Sequence, residues 1–357
     1  MVKYIIFLLS LLSVVLGFDC KKNPTCPPNG IPADTTSNNF IFQQFSFGGN
    51  TGSSMLNDVA IVSDSNIWAV GAIYLDSANG NPDPIPYNVV HWNGNEWSLA
   101  KVPYNYQGQL FYHAIECIFA FNENDIWLAG NGIQHWDGSH YNEIDLPISL
   151  WGQHRINKLG GISSSNLYIV GDSGSIALFS AGTWQKLPTL TTLNLTDIWC
   201  GVNSATGHDE ILAVANNLGG NFSTSIISIT GNTATQVSSS PITYPLSTVW
   251  FDPGYQYYVG GSGIYEKNEL TDSMWKNGMY DISQYYINLI RGNNANDVFA
   301  VGAYGEFVHY NGVRWHSFKD QTSLASGVFG AIAVKGNLTV AVGFSGAQGV
   351  IEKGIRR

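Results

Sequence analysis

Asn296–Trp315 reads NDVFAVGAYGEFVHYNGVRW. It opens with a short apolar run, Val298-Phe299-Ala300-Val301, of the kind that forms a strand covered on both faces. Gly302 and Gly305 bracket a short turn, and Glu306–Tyr310 reads as a second strand. Asn311-Gly312 follows as a tight hairpin signal, because both central residues of a type I′ turn need positive φ. Trp315 opens the strand beyond it, and the apolar run Tyr286–Ile290 supplies one more strand ahead. The stretch therefore describes one four-stranded antiparallel unit.

The unit recurs. Ser65–Trp97 contains SNIWAVG and YNVVHWNGNEW, Asn124–Tyr141 reads NDIWLAGNGIQHWDGSHY, and Ser165–Trp184 reads SNLYIVGDSGSIALFSAGTW. The glycine ending the second strand appears as Gly71, Gly130, Gly171, Gly260, Gly302 and Gly343. The gap from Gly171 to Gly260 is twice the usual spacing and holds a degenerate copy, Glu210–Ala215, which makes seven copies. Four antiparallel strands in roughly 41–45 residues are the blade of a β-propeller. The fold class is all-β, a seven-bladed β-propeller of four-stranded antiparallel blades. The last copy lacks its fourth strand, and Phe40–Phe47 (FIFQQFSF) has the outer-strand pattern of Trp315–Phe318. It is expected to complete blade seven and close the ring, which protects sheet edges.

The blades are expected at about Met55–Lys101, Phe111–Pro147, Asn157–Pro188, Asn194–Ser238, Leu246–Asn277, Tyr286–Phe318 and Val328–Lys353. Seven blades use nearly all of the 357 residues, so residues 40–357 form one domain. Residues 1–17 read as a signal peptide, with Lys3 before the apolar core Ile5–Leu16 and small residues Val15 and Gly17 ahead of cleavage. That core is too short to span a bilayer. Residues 18–39 form a Pro-containing linker in which Cys20 and Cys26 are expected to pair. The expectation is a secreted or vesicle-lumen monomer without a membrane span. Cys117 and Cys200 fall on inner strands of blades two and four and read as buried free thiols. Asn194, Asn221 and Asn337 begin glycosylation sequons.

Charged residues are only 12% of the chain and the formal net charge is −10, which argues against nucleic-acid binding. The sequence contains no nucleophile elbow, phosphate loop, HExxH or CxxC, and no cofactor is implied. His91, His135 and His309 recur at one third-strand position and read as packing or hydrogen-bonding residues of the repeat. His113 and His154 stand outside that pattern. Asn66, Asp125, Asn166 and Asp297 also recur at one position and read as turn residues bonding their own backbone. Asp76 and Asp83, in the insertion Ala72–Asn88, are weak metal candidates because their spacing fails the EF-hand pattern.

In a propeller, the loops joining second to third strands and those joining successive blades share one face. On that face lie the insertion and the irregular segments Pro103–Gly108, Ser149–Arg155 and Gly278–Tyr285. Tyr74, Tyr87, Tyr104, Tyr106, Trp151, His154, Arg155 and Tyr285 are the candidate ligand-binding residues. Flat aromatics beside amides and carboxylates suit sugar rings, and Tyr, Trp and Arg equally suit a protein partner. The leading expectation is a binding module for a glycan or an extracellular protein. The alternative is a polysaccharide hydrolase or lyase using Asp76, Asp83, Glu116 or Asp281.

At the level of Gly-x-x-Gly-x-[Ile/Phe]-x-His-[Trp/Tyr]-[Asn/Asp]-Gly-x-x-Trp, Met55–Lys353 resembles the secreted propeller repeats of the BNR and kelch-like groups. The resemblance implies the fold and leaves function open, since those groups include glycosidases, lectins, assembly factors and adhesion proteins. Sialidases of this kind hold a carboxylate with three arginines. Here Arg155, Arg291, Arg314, Arg356 and Arg357 are the only arginines, two of them terminal and Arg314 on an outer strand, which argues against that activity.

Overall fold

The computed structural model describes residues 35–218, 222–278, 282–283, 285–322, 324 and 326–357. The expected signal peptide, the Cys20–Cys26 pair, Asn221 and Asp281 lie outside the described residues. No described helix is long and apolar enough to cross a membrane.

Seven four-stranded antiparallel sheets form the ring, and in six of them the inner strand is first in sequence. The inner strands are Met55–Ser63, Cys117–Asn122, Ile156–Ser163, Asn194–Val202, Leu246–Asp252, Ile287–Asn294 and Val328–Lys335. Phe40–Phe47 pairs with Gln348–Arg356 over its whole length, Phe40 opposite Arg356 and Phe47 opposite Gly349. The closing strand of blade seven is therefore the first strand of the ring. Its side-chain alternation explains why FIFQQFSF does this work. Phe40 and Phe42 turn toward blade six, where their rings lie 5.4 and 5.1 Å from Phe318. Phe45 and Phe47 turn the other way and lie 5.6 and 6.0 Å from Trp97 of blade one.

The repeat encodes more than strands. Six of the inner strands slip register at one shared position near their start, occupied by Asn57, Asn157, Thr196, Ser247, Asn288 and Gly330. Such a bulge turns an otherwise sheet-bound residue sideways. Asn57 Nδ2 then donates to Ile115 O, Asn157 Nδ2 to Leu195 O, and Asn288 Nδ2 to Phe329 O, each reaching the next blade at 2.8–2.9 Å. Ser247 Oγ donates to Ile287 O in the same manner.

The residue after the bulge is buried near the ring axis, and two of the six are aspartates. Asp58 accepts Ile118 N of blade two at 3.0 Å and Lys158 Nζ of blade three at 2.8 Å. Asp197 accepts Val249 N of blade five at 3.0 Å, Thr248 Oγ1 at 2.7 Å, and a bidentate Arg291 of blade six at 2.8 and 3.0 Å. Each acid thus ties three consecutive blades together. The axial cavity of about 180 Å³ is lined by Asp58, Lys158 and Arg291 of these side chains and by Trp199.

The recurrent Asn66, Asp125 and Asp297 differ from the expectation of self-bonded turns. Their oxygens accept from the recurrent histidines: His91 Nε2 at 3.0 Å, His135 Nε2 at 2.8 Å and His309 Nε2 at 2.8 Å. Asn66 and Asp125 also take Trp68 Nε1 and Trp127 Nε1. The side chains face across the strands because residues on paired strands at this register share one face. Asn166 Nδ2 instead donates to Asp209 of the next blade at 3.1 Å. At blade six the same motif gains the segment before the closing strand. Asn38 Oδ1 lies 2.6 Å from His309 Nδ1, Thr36 Oγ1 donates to Asn296 O, and Arg356 donates to Asp297.

Candidate binding face and the cleft over blade two

The strand directions place the blade-to-blade connections and second-to-third-strand loops on one face, here the loop face. Asn-Gly and Asp-Gly turns, with Gly94, Gly138 and Gly312 at positive φ, mark the other. The two faces differ in what they expose. Among described apolar side chains more than half exposed, Leu110, Ile148, Leu190, Leu218, Phe222, Tyr244 and Tyr304 lie in loop-face connections. Val313 and Met274 lie in connections between third and fourth strands, on the opposite face.

The insertion folds into a hairpin, with Asp76 bridged to Pro82 and Asp83 N donating to Leu75 O. Its acids serve neighbouring loops. Asp76 accepts Asn50 N, Thr51 N and Thr51 Oγ1, and these bonds, Thr51 first, hold its carboxyl below the usual range. Asp83 accepts Ile85 N and pairs with Lys101 at 3.1 Å. Among the described residues no group of three Asp, Glu, His or Cys side chains converges on a metal-sized site. Tyr74 N donates to Ser54 Oγ, and the Tyr87 ring carries Lys101 Nζ at 4.7 Å.

Tyr104, Trp151 and His154 come together over blade two. Its second and third strands are joined by the short turn Gly130–Gly132, whereas its flanks rise. On one side stands the small hairpin Tyr104–Tyr106/Gln109–Phe111, and on the other the single helical turn Ile148–Trp151. A low turn between two raised connections leaves a cleft of about 470 Å³. Tyr104 forms one wall, flat against Gly132, where an added Cβ would meet its Cε2 at 2.2 Å. Trp151 lies in the opposite wall, 3% exposed, with Nε1 donating to His154 O at 2.7 Å. Glu143 and Asp145 stand at the outer end, both exposed. Sequence reading missed Gly132, Glu143 and Asp145. The signal available was the doubled glycine in Gly130-Asn131-Gly132, which shortens the turn relative to its neighbours.

Arg155 sits beside this cleft and reaches Glu116 at 3.5 Å and Asn157 at 3.1 Å. Burial raises the Glu116 carboxyl above its usual range, with Arg155 opposing. Tyr285 is held apart, in blade six, with Lys319 Nζ 3.8 Å over its ring and Tyr304 at 5.0 Å. The backbone of Tyr106 belongs to the hairpin beside the cleft. Cys117 and Cys200 are free, and burial pushes both thiols up.

No family model and no curated protein matches the chain. Solved structures do. The structure of YCF48 bound to D1 peptide superposes with a TM-score of 0.62 at 14% identity, covering 90% of this chain and 99% of that one. YCF48 from Cyanidioschyzon merolae gives 0.60 at 15% identity, covering 88% and 98%. The WD40 propeller domain of Doa1 gives 0.62 at 11% identity, covering 88% and 97%. At these identities the likeness establishes the propeller fold. The neighbours are YCF48 and WD40 propellers rather than the BNR and kelch-like groups that the repeat resembles.

Proposed function

We propose that this chain is a secreted binding module that holds an extracellular protein through its loop face. The observation that carries the reading is the one-sided exposure of apolar side chains, from Leu110 round to Tyr304, on a scaffold whose interior charges are paired. Exposed apolar groups collected on one surface mark an interaction site. One of the similar structures is a complex with a peptide, which is in keeping with such a use of the fold. Secretion rests on the apolar segment Ile5–Leu16; N-terminal sequencing of protein from a secreting host should begin near Phe18.

Glycan binding is the second reading, supported by the aromatics of the same face. It is the weaker because Tyr87 is already covered by Lys101 and Trp151 is buried. Among the described acids named for hydrolysis or lysis, Asp76 and Asp83 are engaged within the loops, which leaves Glu116.

The test compares two anchored forms of the protein, biotinylated at a cysteine replacing Leu190 on the loop face or Val313 on the other. Both are screened against displayed random peptides and a glycan array. The protein-binding reading expects peptides recovered on the Val313-anchored form and lost on the Leu190-anchored form. Equal recovery on both removes the loop face from consideration, and hits confined to the glycan array favour the second reading.

A further inference from the structure

We infer that the cleft over blade two is a docking groove for an extended basic peptide, one that places a lysine or arginine between Glu143 and Asp145 and an apolar side chain on the cleft floor. This rests on the loop-face reading and names the partner chemistry for one part of that face.

The first argument is charge. Glu143 and Asp145 are exposed at the open end of the cleft, and among the described residues neither forms an ion pair. Glu143 accepts a long bond from Asn105 N, at 3.3 Å. The nearest arginine in sequence, Arg155, is directed to Glu116. Among the described residues, His154 is the one cation-capable side chain lining the cleft. Two unpaired carboxylates at a partly enclosed rim attract a cationic group more strongly than they would in open solvent.

The second argument is shape. The floor and inner walls are apolar, formed by Ile133, Ile144, Leu146 and Ile156 between the rings of Tyr104 and Trp151. A bare divalent ion or a small polar solute would leave that surface uncovered. A side chain carrying methylenes under a charged head, or an aliphatic residue next to one, would cover it.

The third argument is the backbone. Tyr141–Ile144 is the outermost strand of blade two, paired on one side only. Its end runs into the cleft at Glu143–Leu146. An exposed strand edge offers amides and carbonyls in register for a further strand, and a peptide is the ligand class that uses them.

The experiment uses the mature chain anchored through Val313→Cys and displayed random peptides at low and high salt. Glu143→Gln/Asp145→Asn keeps the shape of the rim and removes its charge. Gly132→Val drives Tyr104 off its seat and narrows the cleft. The expected result is a recovered set enriched in Lys or Arg beside an apolar residue. Its synthesised members should lose about tenfold in affinity, some 1.4 kcal/mol, to the charge-removing pair. They should lose a similar factor between low and high salt, and most of the remainder to Gly132→Val. Both variants must melt as the parent does, and Glu143→Gln/Asp145→Asn, altering only exposed side chains, serves if Gly132→Val does not. Peptides recovered without basic enrichment, or bound equally by the charge-removing pair, overturn the groove and leave the loop-face reading standing. Failure to recover any peptide on the Val313-anchored form overturns both.

Discussion

Asp58 and Asp197 stand at the same position in blades one and four, and each ties its own blade to the next two, yet they do so with different cations. Asp58 uses a lysine, a single Nζ contact, and one backbone amide. Asp197 uses an arginine in fork geometry, a threonine hydroxyl and a backbone amide, and Arg291 also donates to Val249 O and Ile290 O and lies 4.8 Å over Trp199. Desolvating a charge is costly, and the cost is offset only when its lone pairs and protons are met. The arginine version meets more of them. Blade seven has Ala331 at this position and belongs to neither group. It is held by the closing strand instead. The ring is therefore sutured three times, by three different chemistries.

The largest effect should come from the third suture. Deleting residues through Phe47 uncovers Phe307, Phe318 and Trp97 and unpairs Gln348–Arg356. Each large apolar side chain left exposed costs about 1.5–3 kcal/mol. Against a typical total of about 5–15 kcal/mol, the truncated chain should show no cooperative melting by calorimetry. A sharp transition would mean that blade seven is held by something else.

Next come the ion pairs. Arg291→Met strands Asp197, which is fully buried, and should cost about 3–5 kcal/mol in urea unfolding. Lys158→Met should cost less, because it removes a single Nζ contact, whereas Arg291→Met removes the fork to Asp197, two bonds to carbonyls and the stack on Trp199. Equal losses would erase the distinction between the two. The double replacement Asp58→Leu/Lys158→Met should recover most of the loss of the single one.

A smaller, pH-dependent effect should appear at the closure. Burial pushes His309 below the usual imidazole value near 6.5, and the neighbouring Arg356 acts in the same direction while Asp297 opposes. Asp297 is held low despite burial, by bonds from His309, Arg356 and Asn293. A histidine depressed in the folded state stabilises above its unfolded value and loses that contribution as pH falls below about 6.5. Asp297 adds to the loss in the same direction below about pH 4. Melting temperature should therefore fall on acidification from pH 7 to 5, and His309→Gln should flatten that slope. If the slope persists unchanged in the variant, other groups carry it.

The smallest expected effect is at the bulge latches. Asn157→Ala removes the bond to Leu195 O and should cost about 1 kcal/mol. Double-mutant cycles with Lys158→Met would show whether latch and ion pair, on adjacent residues of one bulge, act independently.

The repeat made the ring legible from sequence because strand, turn and glycine recur together. Blade number, blade composition and the closing role of Phe40–Phe47 all follow from that periodicity. The His–Asp contacts escaped a correct reading because recurrence at two positions does not reveal that the strand register sets the positions side by side. The bulge latches were visible only as a polar residue after a Leu or Ile at one place in five of the six bulged strands, as in Leu56-Asn57 or Ile287-Asn288. Of the candidate site, the aromatics Tyr104 and Trp151 and the neighbouring His154 were found because they interrupt the repeat. Glu143 lies within a repeated outer strand and Asp145 just past its end, where a charged residue looks like ordinary solvated surface. Their significance comes from a cleft made by the heights of three connections, which no local pattern records. Tyr285 was grouped with them by composition, whereas the ring holds it in blade six.

Phe40–Phe47 is synthesised before any blade, and its partner Gln348–Arg356 after all of them. During synthesis the first strand must wait, with its phenylalanines uncovered, while the intervening blades are made. Blade seven cannot exist until Gln348–Arg356 has left the ribosome. A nascent chain halted anywhere before Gln348 therefore carries an unmatched sticky end at its head and an open flank at its tail. Quality control that recognises exposed phenylalanine would see an unfinished molecule until the last moment, and then lose its target in one step.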